Sequence, residues 1–272
     1  MSDLKTRSLT AIIIAIVSIG AVLGGPYTFS FFILAIGFGI NQEVFRLFVA
    51  KASFPKSIVF GLLTTTPLLF AYMKHFGWID ISLSAFFQSL PILLLMVYFI
   101  FLKNEVTFQS NVLAASAFSI LYVSIGLMSS IFLGWPTGEY TFVNVLSIIV
   151  LIWTNDSFAY FTGSRIGKSP LAKIISPKKT WEGSIGGGLS TIMAAIAIYY
   201  LCNMYSLWVW IGIGILVAIF SNIGDLLQSA LKRAAGVKDS GKILPGHGGI
   251  FDRYDSFVCV LPVIYVYLII VL

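Results

Sequence analysis

Charge is scarce in this chain of 272 residues: Lys, Arg, Asp and Glu together make up 10%, against about 25% in a soluble domain. Hydrophobic types reach 58%, which excludes a water-soluble globule. Cysteine is nearly missing. Cys202 and Cys259 both lie in apolar stretches, so a secreted disulfide scaffold is excluded and buried, inert thiols are expected. Polar tracts poor in aromatics are absent as well, which excludes disorder. What remains is an integral membrane protein. The surplus of six positive charges fits either nucleic acid or an anionic membrane surface, and only its distribution along the chain can decide.

A hydrocarbon core of about 30 Å is crossed by about 20 apolar residues as a helix. Nine such stretches are bounded by charge or by Gly and Pro: 8–25, 27–48, 57–73, 79–102, 110–133, 140–162, 184–204, 206–231 and 254–272. None shows the strict alternation of a barrel strand. The expected fold class is therefore an all-α polytopic membrane protein with about nine transmembrane helices. The first span, after Lys5 and Arg7, has the basic start and small-residue end of a signal peptide, but with eight spans behind it an uncleaved helix is the expectation.

Numbering the loops alternately puts 16 of the 17 basic residues on the amino-terminal side and only Lys74 on the other. Cytoplasmic loops hold the Lys and Arg excess, so the amino terminus is expected in the cytoplasm and the carboxyl terminus outside. The two longest polar segments, 163–183 and 232–253, fall on the cytoplasmic side and hold ten basic residues. Chemistry on a soluble substrate belongs there. The chain divides for description into amino-terminal helices, 1–139, and carboxyl-terminal helices with the polar loops, 140–272, within one membrane unit. No internal repeat of the kind that marks many secondary transporters is visible.

Asp156 and Asp225 each lie inside an otherwise apolar helix. A carboxylate near membrane depth costs about 2.5–3.5 kcal/mol or more and is normally paired, solvated in a cavity or bound to a cation; a structural hydrogen bond is the plainer reading. Asp225, Ser229 and Lys232 fall at i, i+4 and i+7, one stripe of a helix that leads into a basic loop. Beyond the loop, Asp252 and Asp255 flank Arg253 at i and i+3. Carboxylates beside Lys and Arg suit a divalent metal and a polyphosphate, although a solvated, salt-bridged loop has the same composition. Gly246, His247, Gly248 and Gly249 let backbone N–H groups approach an anion, or else form only a tight turn. In the other loop, Ser176, Lys178, Lys179 and Thr180 suit a phosphate contact or anionic lipid head groups. The segment Gly163-Ser164-Arg165-Ile166-Gly167-Lys168-Ser169 imitates a P-loop, but only three residues separate its glycines where four are needed. Gly183 and Gly187 form a small-xxx-small pair whose default use is close helix packing.

The 27 residues from Ser229 to Asp255 closely resemble the signature of the phosphatidate cytidylyltransferase, or CDP-diacylglycerol synthase, family. Their fixed points are Ser229, Lys232, Arg233, Lys238, Asp239, Ser240, Gly241, Pro245 to Gly249, Asp252, Arg253 and Asp255. The stretch from Ser176 to Gly183 and the helix around Asn155 and Asp156 look like family segments too, so the resemblance covers roughly the second half of the chain. Tyr254 departs from it, standing where an aliphatic residue, Phe or Thr is expected. The resemblance implies transfer of a cytidylyl group from CTP to phosphatidate, giving CDP-diacylglycerol and pyrophosphate, with Mg²⁺ and in some members K⁺. It implies Asp225 and Asp252 as metal ligands, with Asp156 and Asp255 as further candidates. Lys232, Arg233, Lys238, Asp239, His247, Arg253 and Asp255 would join them in catalysis. Ser176, Lys178, Lys179, Thr180, Ser229, Gly248 and Gly249 would bind substrate. A short chain without a soluble extension suggests a prokaryotic plasma membrane, with the site facing the cytoplasm, membrane lipids as neighbours and a homodimer as a candidate assembly; the surplus charge, sorted to one face, no longer points to nucleic acid. A CTP-dependent lipid kinase is the nearest enzymatic alternative, and a cation-coupled transporter the alternative from another class.

Overall fold

The computed structural model describes residues 2–49, 53–78, 112–202 and 204–272. Helix α1 runs Ser2–Leu23, α2 Pro26–Phe48 and α3 Phe54–His75. Helix α4 covers Val112–Gly134 and contains a π turn at Ser119–Ser124; α5 is Val143–Ile166. A short hairpin follows, β1 Pro170–Ala172 and β2 Ser176–Thr180, and then α6 Trp181–Cys202, α7 Leu207–Ala234 and α8 Phe251–Val271. Seven of the described helices, α2 to α8, are long and apolar enough to cross a membrane, and α1 has a shorter apolar stretch, Ser8–Leu23. The expected span 79–102 lies outside the described residues. The architecture is that of an all-α polytopic membrane protein. Large apolar side chains stand open on its helices, Tyr160 and Leu201 at 80% and Ile270 at 75%, as a surface solvated by lipid tails allows.

Two units emerge from the contacts. One comprises Met1–Ile131 and Leu231–Tyr254, the other Phe132–Ala230 and Asp255–Leu272. Leu231–Tyr254 groups with the amino-terminal helices, because residues of α1 and α2 bond directly to it.

In the first unit, Gly25 at φ 106 reverses the chain and Pro26 opens α2, where its missing N–H costs nothing. Arg46, in the last turn of α2, donates to Ser57 Oγ at 3.2 and 3.1 Å and lies 5.2 Å over the Phe54 ring. A buried polar layer crosses this unit. Asn41 Nδ2 donates to Thr65 Oγ1 and, in the π turn, to Ser124 Oγ, and the Ser124 hydroxyl donates to the Thr64 carbonyl. Phe29, Ile33, Ile40, Leu68 and Leu127 are buried around it.

In the second unit, α5 and α6 pack closely enough that only glycine fits on the facing side. A Cβ at Gly183 would stand 2.8 Å from the Ala159 carbonyl oxygen, and one at Gly187 2.7 Å from that of Asn155. The small-xxx-small pair thus does what its spacing predicts. The hairpin before α6 is a structure that the sequence reading leaves as loop. Its strands pair antiparallel, Pro170 with Thr180 and Ala172 with Ser176. Glu182 fastens it by accepting the N–H groups of Lys168 and Ser169 at 3.1 and 3.2 Å. Thr180 Oγ1 accepts the Gly183 N–H at 3.2 Å, an N-cap that starts α6.

Candidate active site

The expected site residues gather in two clusters, one in each unit. In the second unit, the antiparallel strand β2 turns adjacent lysines to opposite sides. Lys178 is exposed, while Lys179 Nζ meets Asp225 Oδ2 at 2.5 Å. Ser229 donates to Asp225 Oδ1 at 3.2 Å, the i, i+4 contact foreseen along α7. Asp255, 9% exposed, accepts the Ser256 N–H at 2.7 Å and stands in electrostatic range of Asp225, Asp156 and Lys179. Asn155 links α5 to α7 by donating to Ser221 Oγ at 2.7 Å and lies 3.5 Å from Asp156 Oδ1. Ser256 Oγ donates to the Ser221 carbonyl at 3.0 Å, fixing α8 against α7 one residue after Asp255. The polar side chains of three helices and the hairpin therefore converge on an acidic group with one lysine in it.

This donor set suits a hard divalent cation, since Asp156, Asp225 and Asp255 offer carboxylate oxygens only. Among the described residues, no three His, Cys, Asp or Glu side chains stand in a ready ligand cluster. The nearest positive charge to Asp225 is Lys179.

In the first unit, Asp252 is engaged on both oxygens. Lys232 Nζ reaches Oδ1 at 2.7 Å. Oδ2 accepts the N–H groups of Ser240 and Gly249, each at 2.8 Å, and the Ser240 hydroxyl at 3.0 Å. A carboxylate has about four acceptor sites, so Asp252 here is well engaged, with two backbone N–H groups and a shared Ser240 hydroxyl proton on one oxygen and a lysine on the other. The glycine loop behaves accordingly. Its Gly249 N–H, expected to face an external anion, is turned onto Asp252. Gly246 and Gly248 have φ of 72 and 83, a backbone state that glycine adopts freely, and Leu244 N–H closes the turn on the Gly248 carbonyl at 3.0 Å. His247 takes part through its backbone: its N–H donates to the Leu244 carbonyl, and its own carbonyl accepts from Arg253 Nε at 3.2 Å. Arg233 donates to the Val237 carbonyl at 3.3 Å. Lys238, Asp239 and Lys242 are exposed.

Three residues absent from the sequence-derived site hold this loop. Glu43 of α2, fully buried, accepts the N–H groups of Ile250 and Phe251 at 2.8 and 3.0 Å and the Ser240 hydroxyl at 2.7 Å. Thr10 of α1 donates to the Pro245 carbonyl at 3.0 Å. Ser18 and the Tyr254 hydroxyl share a bond of 2.8 Å, which gives the departing Tyr254 a structural use. The only sequence signal for Glu43 was an acidic residue, after Asn41 and Gln42, within an apolar span.

The family model described as the cytidylyltransferase family matches residues 5–271. The chain is 33% identical over 270 residues to a phosphatidate cytidylyltransferase of Staphylococcus aureus, covering 98% of this chain and 99% of that one. It is 35% identical over 274 residues to one of Bacillus subtilis, covering 97% of both. A third, from Staphylococcus saprophyticus, is 35% identical over 271 residues, at 98% and 99% coverage. The likeness runs through the amino-terminal helices as well as the signature segment, and the chain belongs to the cytidylyltransferase family.

Proposed function

We propose that the chain is a phosphatidate cytidylyltransferase, joining CTP and phosphatidate to give CDP-diacylglycerol and pyrophosphate. The observation that carries the reading is the whole-length likeness to relatives that bear this name. The lipid phosphate has a second pKa of about 6 and is largely dianionic at neutral pH, so it needs no strong general base. One of its oxygens bonds to the α-phosphorus of CTP as the bond from that phosphorus to the β-phosphate bridging oxygen breaks. Pyrophosphate leaves with the electron pair. The obstacle is bringing anion to anion, and positioning with charge neutralisation is the remedy.

Lys179, seated on Asp225, and Lys232, seated on Asp252, are the cations we assign to substrate phosphates, with exposed Lys178, Lys238, Lys242, Arg233 and Arg253 drawing the nucleotide in. Asp225 and Asp255, with Asp156 beside them, are the residues we assign to Mg²⁺; K⁺ is a candidate for a second position. Bound there, Mg²⁺ would neutralise phosphate charge as a Lewis acid. Asp252 serves the site by holding Lys232 and the glycine loop. The distribution of Lys and Arg supports nine spans with the amino terminus and the site in the cytoplasm, and the bacterial source of the relatives fits a plasma membrane.

The test is to incubate purified protein in detergent with CTP, phosphatidate and Mg²⁺. Liponucleotide and pyrophosphate are expected in equal amounts. CDP with a newly phosphorylated lipid would assign the chain to the lipid kinases instead, and no liponucleotide under varied Mg²⁺ and K⁺ would overturn the reading.

A further inference from the structure

We propose that Glu43 is a positioning residue for the proposed transfer reaction: from α2 it clamps the Ser240–Asp252 loop to the start of α8 and so sets where Lys232 and Asp252 stand. The inference rests on the functional reading above and adds to it a residue of the first helices, where the sequence signature has none.

Three observations carry it. Both carboxylate oxygens of Glu43 act as acceptors, Oε1 for the Ile250 N–H and Oε2 for the Phe251 N–H and the Ser240 hydroxyl. Phe251 is the first residue of α8, so these are helix-terminal donors with no partner inside the helix. Glu43 caps α8 from another helix, and its charge complements the positive helix end. Secondly, Ser240 ties both acids together: its N–H donates to Asp252 Oδ2 at 2.8 Å, and its hydroxyl, 2.7 Å from Glu43 Oε2 and 3.0 Å from Asp252 Oδ2, has one proton that the two acids share. A displacement of Glu43 is thereby passed to Asp252 and to the Lys232 it holds. Thirdly, two signature glycines make room for this carboxylate. A Cβ at Gly249 would strike Glu43 Oε2 and Ser240 Oγ, and a Cβ at Gly241 would stand 2.5 Å from Glu43 Oε1. Part of the glycine content of the loop is thus explained by a buried glutamate about 200 residues away in the chain.

The test compares Glu43→Gln, Glu43→Asp and Ser240→Ala in the full-length detergent-solubilised protein. Gln has the size of Glu but keeps one acceptor oxygen and presents an NH₂ to donors. The kcat of Glu43→Gln should fall about 10–100-fold, the usual scale for partners that support a site, with KM for CTP and phosphatidate little changed. Glu43→Asp, which keeps the charge, should recover part of kcat. The double variant Glu43→Gln with Ser240→Ala should lose less than the product of the single losses, since both act through one loop. Amide hydrogen exchange over 240–252 supplies a readout independent of turnover: Glu43→Gln should speed exchange there while other helices keep wild-type protection. Wild-type kcat in folded Glu43→Gln, or a loss of folded protein with unchanged kcat in what remains, would overturn the assignment. Unchanged exchange over 240–252 would do so even if the wild-type protein made no liponucleotide, an outcome that by itself defeats only the functional reading.

Discussion

Asp225 and Asp252 have the same side chain and parallel positions beside a lysine, yet their surroundings differ, and we propose different work for them. Asp225 has one lysine and one hydroxyl on it, so its oxygens retain capacity for a cation. Asp252 has a lysine, a hydroxyl and two backbone N–H groups. Asp225→Asn should therefore nearly abolish turnover at limiting Mg²⁺ and regain part of it as Mg²⁺ is raised, with membrane insertion intact. Asp252→Asn should also be nearly inactive, but added Mg²⁺ should not restore it, because the lost function is an anchor. A Mg²⁺ titration of the two variants checks this, and equal rescue would merge the roles. Lys179→Ala should raise KM for CTP or phosphatidate more than it lowers protein stability, since the pair it leaves is partly exposed and such pairs contribute little to folding. Initial-rate kinetics beside thermal unfolding would separate the two effects. At this scale the sequence was informative where a helical step joins the partners. The Asp225 to Ser229 contact follows from a helical step of four, whereas Glu43 was missed because its partners lie 197 to 208 positions away and no local pattern points to them.

Among the elements, helices were readable because a bilayer imposes both length and apolarity on them, and seven described helices satisfy that demand. The hairpin was not readable. Its five-residue strand Ser176–Thr180 contains proline and two lysines, a composition poor in strand formers, and pairing with Pro170–Ala172 plus the Glu182 clasp overrides it. The glycine loop was legible as a turn, while the bond from its Gly249 N–H to the Asp252 carboxylate was not. The α5–α6 contact gives the clearest prediction here. Gly187→Ala places a methyl group against the Asn155 carbonyl, and overpacking of this kind costs about 1–3 kcal/mol. A lowered unfolding temperature in detergent is expected, together with reduced turnover, because Asn155 adjoins Asp156. A variant at the open position Gly20, where a Cβ meets nothing within 4 Å, should leave both unchanged.

For the molecule as a whole, the scarcity of charge turns sidedness into an experiment. Lys178, Lys238 and Lys242 are exposed, and a membrane-impermeant amine reagent should reach them in inverted vesicles and Lys74 from the opposite face. Labelling of both groups from one side would refute the proposed topology. The division into a recognisable second half and an anonymous first half also fades at this scale. Leu231–Tyr254 belongs with the amino-terminal helices, and the helices α1 and α2 that looked like plain spans carry Thr10, Ser18 and Glu43 to it.

That closure of the chain upon itself has a consequence for biosynthesis. Ribosomes deliver α2 long before residues 240–251 exist, so Glu43 is first placed among apolar helices with none of its eventual donors. A lone carboxylate in that setting is costly, and contacts of such sequence separation form late. The nascent protein must therefore hold Glu43 protonated, hydrated or against a temporary partner until the last loop arrives.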